Sequence, residues 1–296
     1  MRPHAVAYPL TSSRVSDYLQ LTKPRLNMLV VFTTAAGYWL GVAGHVDPMV
    51  LVHTVVGTAL VAGGSAVFNQ LYEQDVDALM SRTRLRPLPD GRLTAWRAFV
   101  FGLVLNAVGL AQLSFGVNHL SAVVAFATLV SYVVWYTPMK RRSSLATVVG
   151  AIPGALPAVI GWAAATGTLS WEGWLLFAIV FLWQMPHFLA LAWLFREEYE
   201  RAGFPVLPVE EPSGRSTARQ TVIYTAALLP VSLAPALTGL AGPLYFAVSL
   251  VLGVAFLVLA LRFARDLHRR TARQLFLGSL LYLPLIWIFM IATRVP

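Results

Sequence analysis

Apolar positions in this chain neither alternate nor return on a single narrow face; they gather in long runs separated by short polar stretches. A bilayer core about 30 Å thick takes roughly 20 apolar residues per helix. Nine windows of that kind follow one another, near residues 26–44, 50–70, 96–116, 119–138, 145–165, 173–194, 221–240, 243–262 and 275–293. The pattern predicts an all-α, polytopic membrane protein with nine transmembrane helices. Composition agrees, since 57% of the 296 residues are hydrophobic and only 12% charged, against roughly 25% charged in soluble domains. Mean hydropathy is +0.68, and so little polar surface cannot cover a soluble globule.

The polar stretches are unequal. All 22 Lys and Arg residues except Arg294 fall in the N-terminal segment (Arg2, Arg14, Lys23, Arg25) and in segments 82–97, 140–142, 196–219 and 262–273. Nine spans put these five segments on one side, and an excess of Lys and Arg marks the cytoplasmic side. The expectation is a cytoplasmic N-terminus and a C-terminus outside. The formal charge of +9 is then topology plus attraction to anionic headgroups, and no nucleic-acid partner is needed to explain it.

With no cysteine in the chain, disulfides, iron–sulfur ligation and thiolate zinc sites are excluded. Residues 1–22 lack a compact apolar run and a small-residue cleavage site, so they read as a cytoplasmic tail and not a signal peptide, followed by a single transmembrane domain over 23–296. No dinucleotide or phosphate-loop fingerprint, tandem repeat or soluble domain interrupts the series. Chemistry is therefore expected among the helices and their cytoplasmic loops.

One stretch stands out, NQLYEQDVDALMSRTRLRPLPDG over residues 69–91. If the second span continues as a helix past Phe68, then Asn69, Glu73 and Asp77 stand at i, i+4 and i+8. Each step turns the helix by only about 40°, so the three side chains share a stripe. Acids at the mouth of a membrane bundle are costly without cations. Two arrangements satisfy them. In one, the acids pair with the nearby arginines as interfacial charge. In the other, one amide and two carboxylates hold Mg²⁺, which favours a few carboxylates plus substrate phosphates, while Arg82 and Arg86 present planar donors to a diphosphate. Spacing alone leaves both open.

At these residues the chain resembles the intramembrane prenyltransferase superfamily, whose first signature is Asn-Asp-x-x-Asp-x-x-x-Asp, in the variant form of its protoheme IX farnesyltransferase (heme O synthase) branch. Asn69, Glu73 and Asp77 fall on signature positions, Gln70 replaces the first acid, and Met80, Arg82, Thr83, Arg86, Pro87, Leu88, Pro89 and Gly91 follow the MxRTxxRPLPxG continuation. Leu85 stands where relatives often carry Asn. The segments LTKPRLN (21–27), YTPMKRRS (136–143), PGALPAVIGWAAATG (153–167), WQMPHFLALAW (183–193) and EEYERAGFPVLP (198–208) carry the resemblance through most of the chain in order.

The resemblance implies nine helices around a lateral, lipid-open cavity, in a bacterial-type inner (plasma) membrane, with the polar site at the cytoplasmic end. It implies Mg²⁺ held by Asn69, Glu73 and Asp77, and a second, weaker position at Glu198, where Glu198-Tyr199 replaces the branch's common Asp-Tyr pair. Farnesyl diphosphate would meet Arg82, Arg86 and Lys140, ionise, and leave an allylic cation for a vinyl group of protoheme IX; water addition then gives heme O. Lys23, Arg25, Tyr136, Arg141, Trp183, Gln184, His187, Glu198 and Tyr199 are the further substrate contacts it suggests. His187 in WQMPHF is read as a heme contact or iron ligand, against the plainer reading of a hydrogen-bonded structural histidine. Partners implied are the lipid bilayer and a downstream heme-modifying enzyme or terminal oxidase. Two alternatives stand beside it: prenylation of an aromatic quinone precursor, which shares the ionisation step, and a transporter, which would place broken helices near the midplane where this chain places its charge at one face.

Overall fold

The computed structural model describes residues 13–80 and 83–295, and all of its regular structure is helical. A short helix α1 (Arg14–Leu21) precedes α2 (Pro24–Gly41), α3 (Pro48–Asp77), α4 (Ala95–Gly116), α5 (His119–Met139), α6 (Ala146–Thr166) and α7 (Trp171–Leu194). Two short helices, α8 (Arg196–Arg201) and α9 (Leu207–Glu210), lead to α10 (Arg215–Leu237), α11 (Pro243–Asp266) and α12 (Arg269–Ala292). The starts are written locally. Asp47 accepts from the Met49 and Val50 amides ahead of Pro48, and Thr94 and Asn118 cap α4 and α5 in the same way, satisfying amides that have no partner inside the helix. Gly167, at φ 67°, closes α6 in the left-handed conformation that glycine adopts without strain.

Among the described residues eight helices are long and apolar enough to cross a membrane, α3 to α7 and α10 to α12, and the chain is an integral membrane protein. The first of the nine expected spans lies outside that set of eight. It forms an 18-residue helix, but Arg25 and Asn27 occupy its first turn and leave it short of the apolarity of the others. Within the segment expected as a tail, 1–22, the described residues pack against the bundle. Residues 14–21 form α1, whose Leu21 is fully buried. The Tyr18 ring meets Phe101 at 4.9 Å, and Arg92 Nε donates to Asp17 Oδ1 at 2.9 Å.

Consecutive long helices pack as neighbours, and α12 returns to α2. One end of the bundle gathers the sparsely charged turns: Arg294 Nη1 donates to the Trp39 carbonyl at 2.8 Å, the Gly242 amide to Thr293 at 2.7 Å, and Asn118 Nδ2 to Ala163 at 2.9 Å. The opposite end gathers Lys23, the 83–94 turn, Lys140 and the segment after α7. The segregation of basic residues in the sequence is thus a physical feature of the molecule.

Small residues set the closest approaches, as they do wherever apolar attraction between membrane helices is weak. A methyl group at Gly161 of α6 would strike the Thr34 carbonyl of α2, and one at Gly37 of α2 the Ala158 carbonyl of α6. Gly57 and Gly109 join α3 to α4, where a Cβ at Gly109 would lie 2.8 Å from the Gly57 carbonyl. On the far side α7, α10, α11 and α12 close around Tyr245, Phe263 and Trp287, each fully buried. Leu103, Val251 and Leu281 turn outward and are at least half exposed, as lipid-facing side chains should be.

Backbone against backbone at α2–α6 leaves no side chain to yield. Gly161→Ala is expected to lower the stability of the detergent-solubilised protein by about 1–3 kcal/mol, read by thermal unfolding. Gly253→Ala meets only the flexible Leu229 side chain, at 3.3 Å, and is expected to be close to neutral in the same measurement.

Candidate active site

The 30-residue α3 continues beyond the length a bilayer core requires, about 20 residues, and its last turns carry the polar stripe. Asn69, Glu73 and Asp77 do share one face there, and they are 2%, 3% and 4% exposed. Each has a different cation. Lys23 Nζ donates to Asn69 Oδ1 at 2.9 Å, Lys140 Nζ donates to Glu73 Oε1 at 2.9 Å and Oε2 at 3.2 Å, and Arg86 Nη1 donates to Asp77 Oδ2 at 2.6 Å. Of the two arrangements the sequence allowed, this is mutual pairing. Carboxylates this deeply buried need compensation by positive charge, and among the described residues no group of three or more acidic or imidazole side chains is close enough to hold a metal ion.

The three cations come from separate segments, each held by local structure. Lys23 links α1 to α2 with φ 48°, a left-handed conformation uncommon outside glycine. Burial first, then the charges of Arg86 and Lys140, bring its pKa down to about 7, against the opposing pull of Glu73 and Asp77. Arg86 sits on a packed turn: Thr83 Oγ1 donates to the Asp77 carbonyl at 2.8 Å, the Arg86 amide to the Thr83 carbonyl at 2.9 Å, and Leu88 and Leu93 are buried beneath. Lys140 follows α5, whose residues 131–136 widen into a π-helical turn ahead of Pro138. Proline there supplies no amide and crowds the carbonyl four residues back, which favours the wider turn. Lys140 Nζ also lies 5.1 Å from the Phe204 ring and 5.9 Å from that of Tyr136.

Beside this mouth lies a cavity of ≈ 430 Å³ walled by α2, α3, α5, α6 and α7. Lys23 and Lys140 line it, whereas their partners Asn69 and Glu73, and Asp77 as well, do not. Of the sequence-derived contacts Tyr136, Trp183, Gln184, His187 and Tyr199 line it too. Gln184 Nε2 donates to the Ala151 carbonyl at 2.9 Å, and its amide fills the place a Cβ at Gly154 would take. Leu26 is 68% exposed and Phe188 37% exposed, yet both belong to the lining, so the cavity reaches the apolar flank of the bundle.

Three other expected site residues lie outside this lining. Arg141 turns outward to Asp75 and lies 5.5 Å from the Tyr72 ring, and Arg25 is exposed on α2 outside the lining. Glu198 does not join the α3 stripe. It lines a separate cavity of ≈ 360 Å³ with Trp193, Arg196, Arg201, His268 and Arg269, while its neighbour Tyr199 faces the main one; adjacent residues on a helix diverge by about 100°. Arg82 lies outside the described residues. Sequence reasoning missed Phe276 and Ser279 of α12, and Phe204. Ser279 accepts Trp183 Nε1 on its carbonyl at 2.8 Å and meets His187 Nδ1 through its hydroxyl at 2.7 Å. A serine 92 residues away in an apolar span carries no local signal of that contact.

The sequence profile of the UbiA prenyltransferase family matches residues 30–289. A protein named protoheme IX farnesyltransferase from Solibacter usitatus is 50% identical over 287 residues, covering 94% of this chain and 98% of that one. One of the same name from Koribacter versatilis is 43% identical, covering 99% and 98%. Among solved structures, a digeranylgeranylglyceryl phosphate synthase superposes with a TM-score of 0.81 at 15% identity, over 94% of this chain and 98% of that one. A UbiA homolog from Archaeoglobus fulgidus bound to GPP and Mg²⁺ gives 0.68 at 18% identity, over 94% and 100%. At those identities the structures speak for the fold; the profile match and the near-full-length relatives go further, and the chain belongs to the UbiA prenyltransferase family.

Proposed function

We propose that the protein transfers the farnesyl group of farnesyl diphosphate to a vinyl group of protoheme IX, with addition of water, giving heme O and diphosphate. The observation that carries the reading is a single cavity that begins at two lysine ammonium groups and continues into an apolar and aromatic chamber open to the flank of the bundle. Such a space suits a lipid-tailed diphosphate and a flat apolar acceptor. The naming of the acceptor follows the relatives, which match this chain over nearly their whole length.

Lys23, Lys140 and Arg86 take the diphosphate oxygens, and binding substitutes these for the chain's own acids. Asn69, Glu73 and Asp77 are then released as hard oxygen donors of the kind Mg²⁺ selects, which makes the stripe the fitting place for that ion. Mg²⁺, when bound, supplies positive charge against the negative charge growing on the departing diphosphate. The carbon–oxygen bond breaks with its electron pair leaving on diphosphate, the vinyl π electrons form the new carbon–carbon bond, and water adds to the resulting cation with loss of a proton. Tyr136, Trp183 and Tyr199 wall the chamber and keep stray water from the allylic cation; their π faces also favour positive charge. The basic end of the bundle faces the cytoplasm of a bacterial-type inner membrane, and the product passes to a downstream heme-modifying enzyme or a terminal oxidase.

Purified protein incubated with protoheme, farnesyl diphosphate and Mg²⁺ is expected to form a heme O mass, with hydroxybenzoate as a competing acceptor left unprenylated. Prenylated hydroxybenzoate with unchanged protoheme would overturn the choice of acceptor. Glu73→Gln and Asp77→Asn are expected to lower turnover by about 10²–10³-fold, the scale seen when one preorganised charge-stabilising group is lost, while the proteins still insert and fold. Full activity in either variant would remove the stripe from the mechanism. Arg86→Lys replaces a planar fork by a point charge, and a fall in kcat/KM of at least about tenfold, ~1.4 kcal/mol, is expected; wild-type kinetics would return Arg86 to a purely structural pair with Asp77.

A further inference from the structure

We propose that Ser279 fixes His187 as the tautomer protonated on Nδ1, and that the Nε2 lone pair so exposed is an axial ligand for the iron of a porphyrin substrate. The proposal rests on the porphyrin acceptor of the preceding section and assigns it an anchor.

The hydrogen-bond inventory fixes the tautomer. Ser279 has one hydroxyl hydrogen, and it is donated to the Phe276 carbonyl at 2.6 Å within α12. That carbonyl can only accept, so the 2.7 Å contact between Ser279 Oγ and His187 Nδ1 is made with a hydrogen carried by Nδ1. A neutral imidazole protonated there has its lone pair on Nε2. The same serine accepts Trp183 Nε1 on its backbone carbonyl at 2.8 Å, so α12 holds the histidine and the indole beside it with two groups of one residue.

Aromatic neighbours fix the ring plane. Trp183 stacks on His187 at 5.1 Å and 24°, Phe276 covers it at 4.9 Å and 31°, and Phe188 meets it nearly edge-on at 5.4 Å and 69°. With its faces occupied and Nδ1 tied to α12, the ring offers only the edge that bears Nε2. That nitrogen has no hydrogen bond among the described residues and is not among the sealed, unpartnered atoms, and His187 belongs to the cavity lining. An in-plane lone pair thus opens onto the space proposed for the acceptor. Imidazole ligands to metals show this arrangement, one nitrogen hydrogen-bonded behind and the other facing the ion, and imidazole is an ordinary partner for heme iron. Val30, Ile160 and Val180 supply apolar surface to the same cavity, suited to a macrocycle face. Ser279 is a positioning residue here; it acts through His187.

The test is resonance Raman spectroscopy of ferrous protoheme bound to the purified full-length protein, together with protoheme titrations, neither of which needs turnover. An iron–histidine stretching band is expected in the wild type. In His187→Ala it is expected to vanish and to be replaced by an iron–imidazole band when free imidazole is added. Ser279→Ala should shift the band and weaken protoheme binding by about 10–100-fold, the usual effect of losing the hydrogen-bond partner of a ligating histidine, with farnesyl diphosphate binding unchanged. Wild-type protein that binds protoheme without the band overturns the ligation and leaves the proposed function standing. The band persisting in His187→Ala overturns it equally, and a band and affinity unmoved in Ser279→Ala remove Ser279 from the role. Failure of the wild type to bind protoheme at all overturns both this inference and the reading beneath it.

Discussion

Three buried acceptors on one helix stripe, bonded by three cations from three separate segments, are the constraint around which the basic end of the bundle is organised. Lys23 lies 46 residues from Asn69, Lys140 lies 67 from Glu73, and Arg86 lies nine from Asp77. Each contact ties a different segment to the end of α3: the α1–α2 link, the end of α5 and the 83–94 turn. Uncompensated charge at such depth would cost several kcal/mol per group, so the link, the turn and the widened end of α5 are fixed together. A diphosphate and a divalent ion are the pair of ligands that could separate acids from cations without leaving either uncompensated.

The cavity and the mouth divide the chemistry. Lys23 and Lys140 belong to both, since they touch the α3 acceptors on one side and line the cavity on the other. The chamber beyond owes its shape to missing side chains. Gly150 makes room for the Tyr136 ring and Gly154 for the Gln184 amide, and proline at 153 and 157 continues the same wall. Small residues on α6 therefore serve two contacts, the backbone approach to α2 and the room given to functional side chains.

Much of this was legible in the sequence because it is local. Span positions follow from runs of apolar residues, and the α3 stripe follows from helical periodicity through Asn69, Glu73 and Asp77. What was illegible depends on contacts across the fold. The pairing of Lys140 with Glu73 and the support of His187 by Ser279 each join residues in different spans. The side toward which Glu198 points depends on how α8 sits after α7. The first apolar window is less apolar than the others for a simpler reason: a helix held between protein neighbours, as α2 is against α6, can carry Arg25 and Asn27 in its first turn and still fold. The packing of the N-terminal segment was equally illegible, because Asp17 and Tyr18 meet Arg92 and Phe101 far along the chain.

The widened turn at residues 131–136 sets a register. A π-helical turn holds one residue more than the α-helical turn it replaces, and one residue is worth about 100° of rotation. The rest of α5, and Lys140 just beyond its end, are therefore phased by that extra residue. A single deletion there would turn the ammonium group of Lys140 away from Glu73 and shift Tyr132 and Tyr136 off the cavity wall. Length is thus a property this part of the chain has to keep alongside its cavity-facing tyrosines.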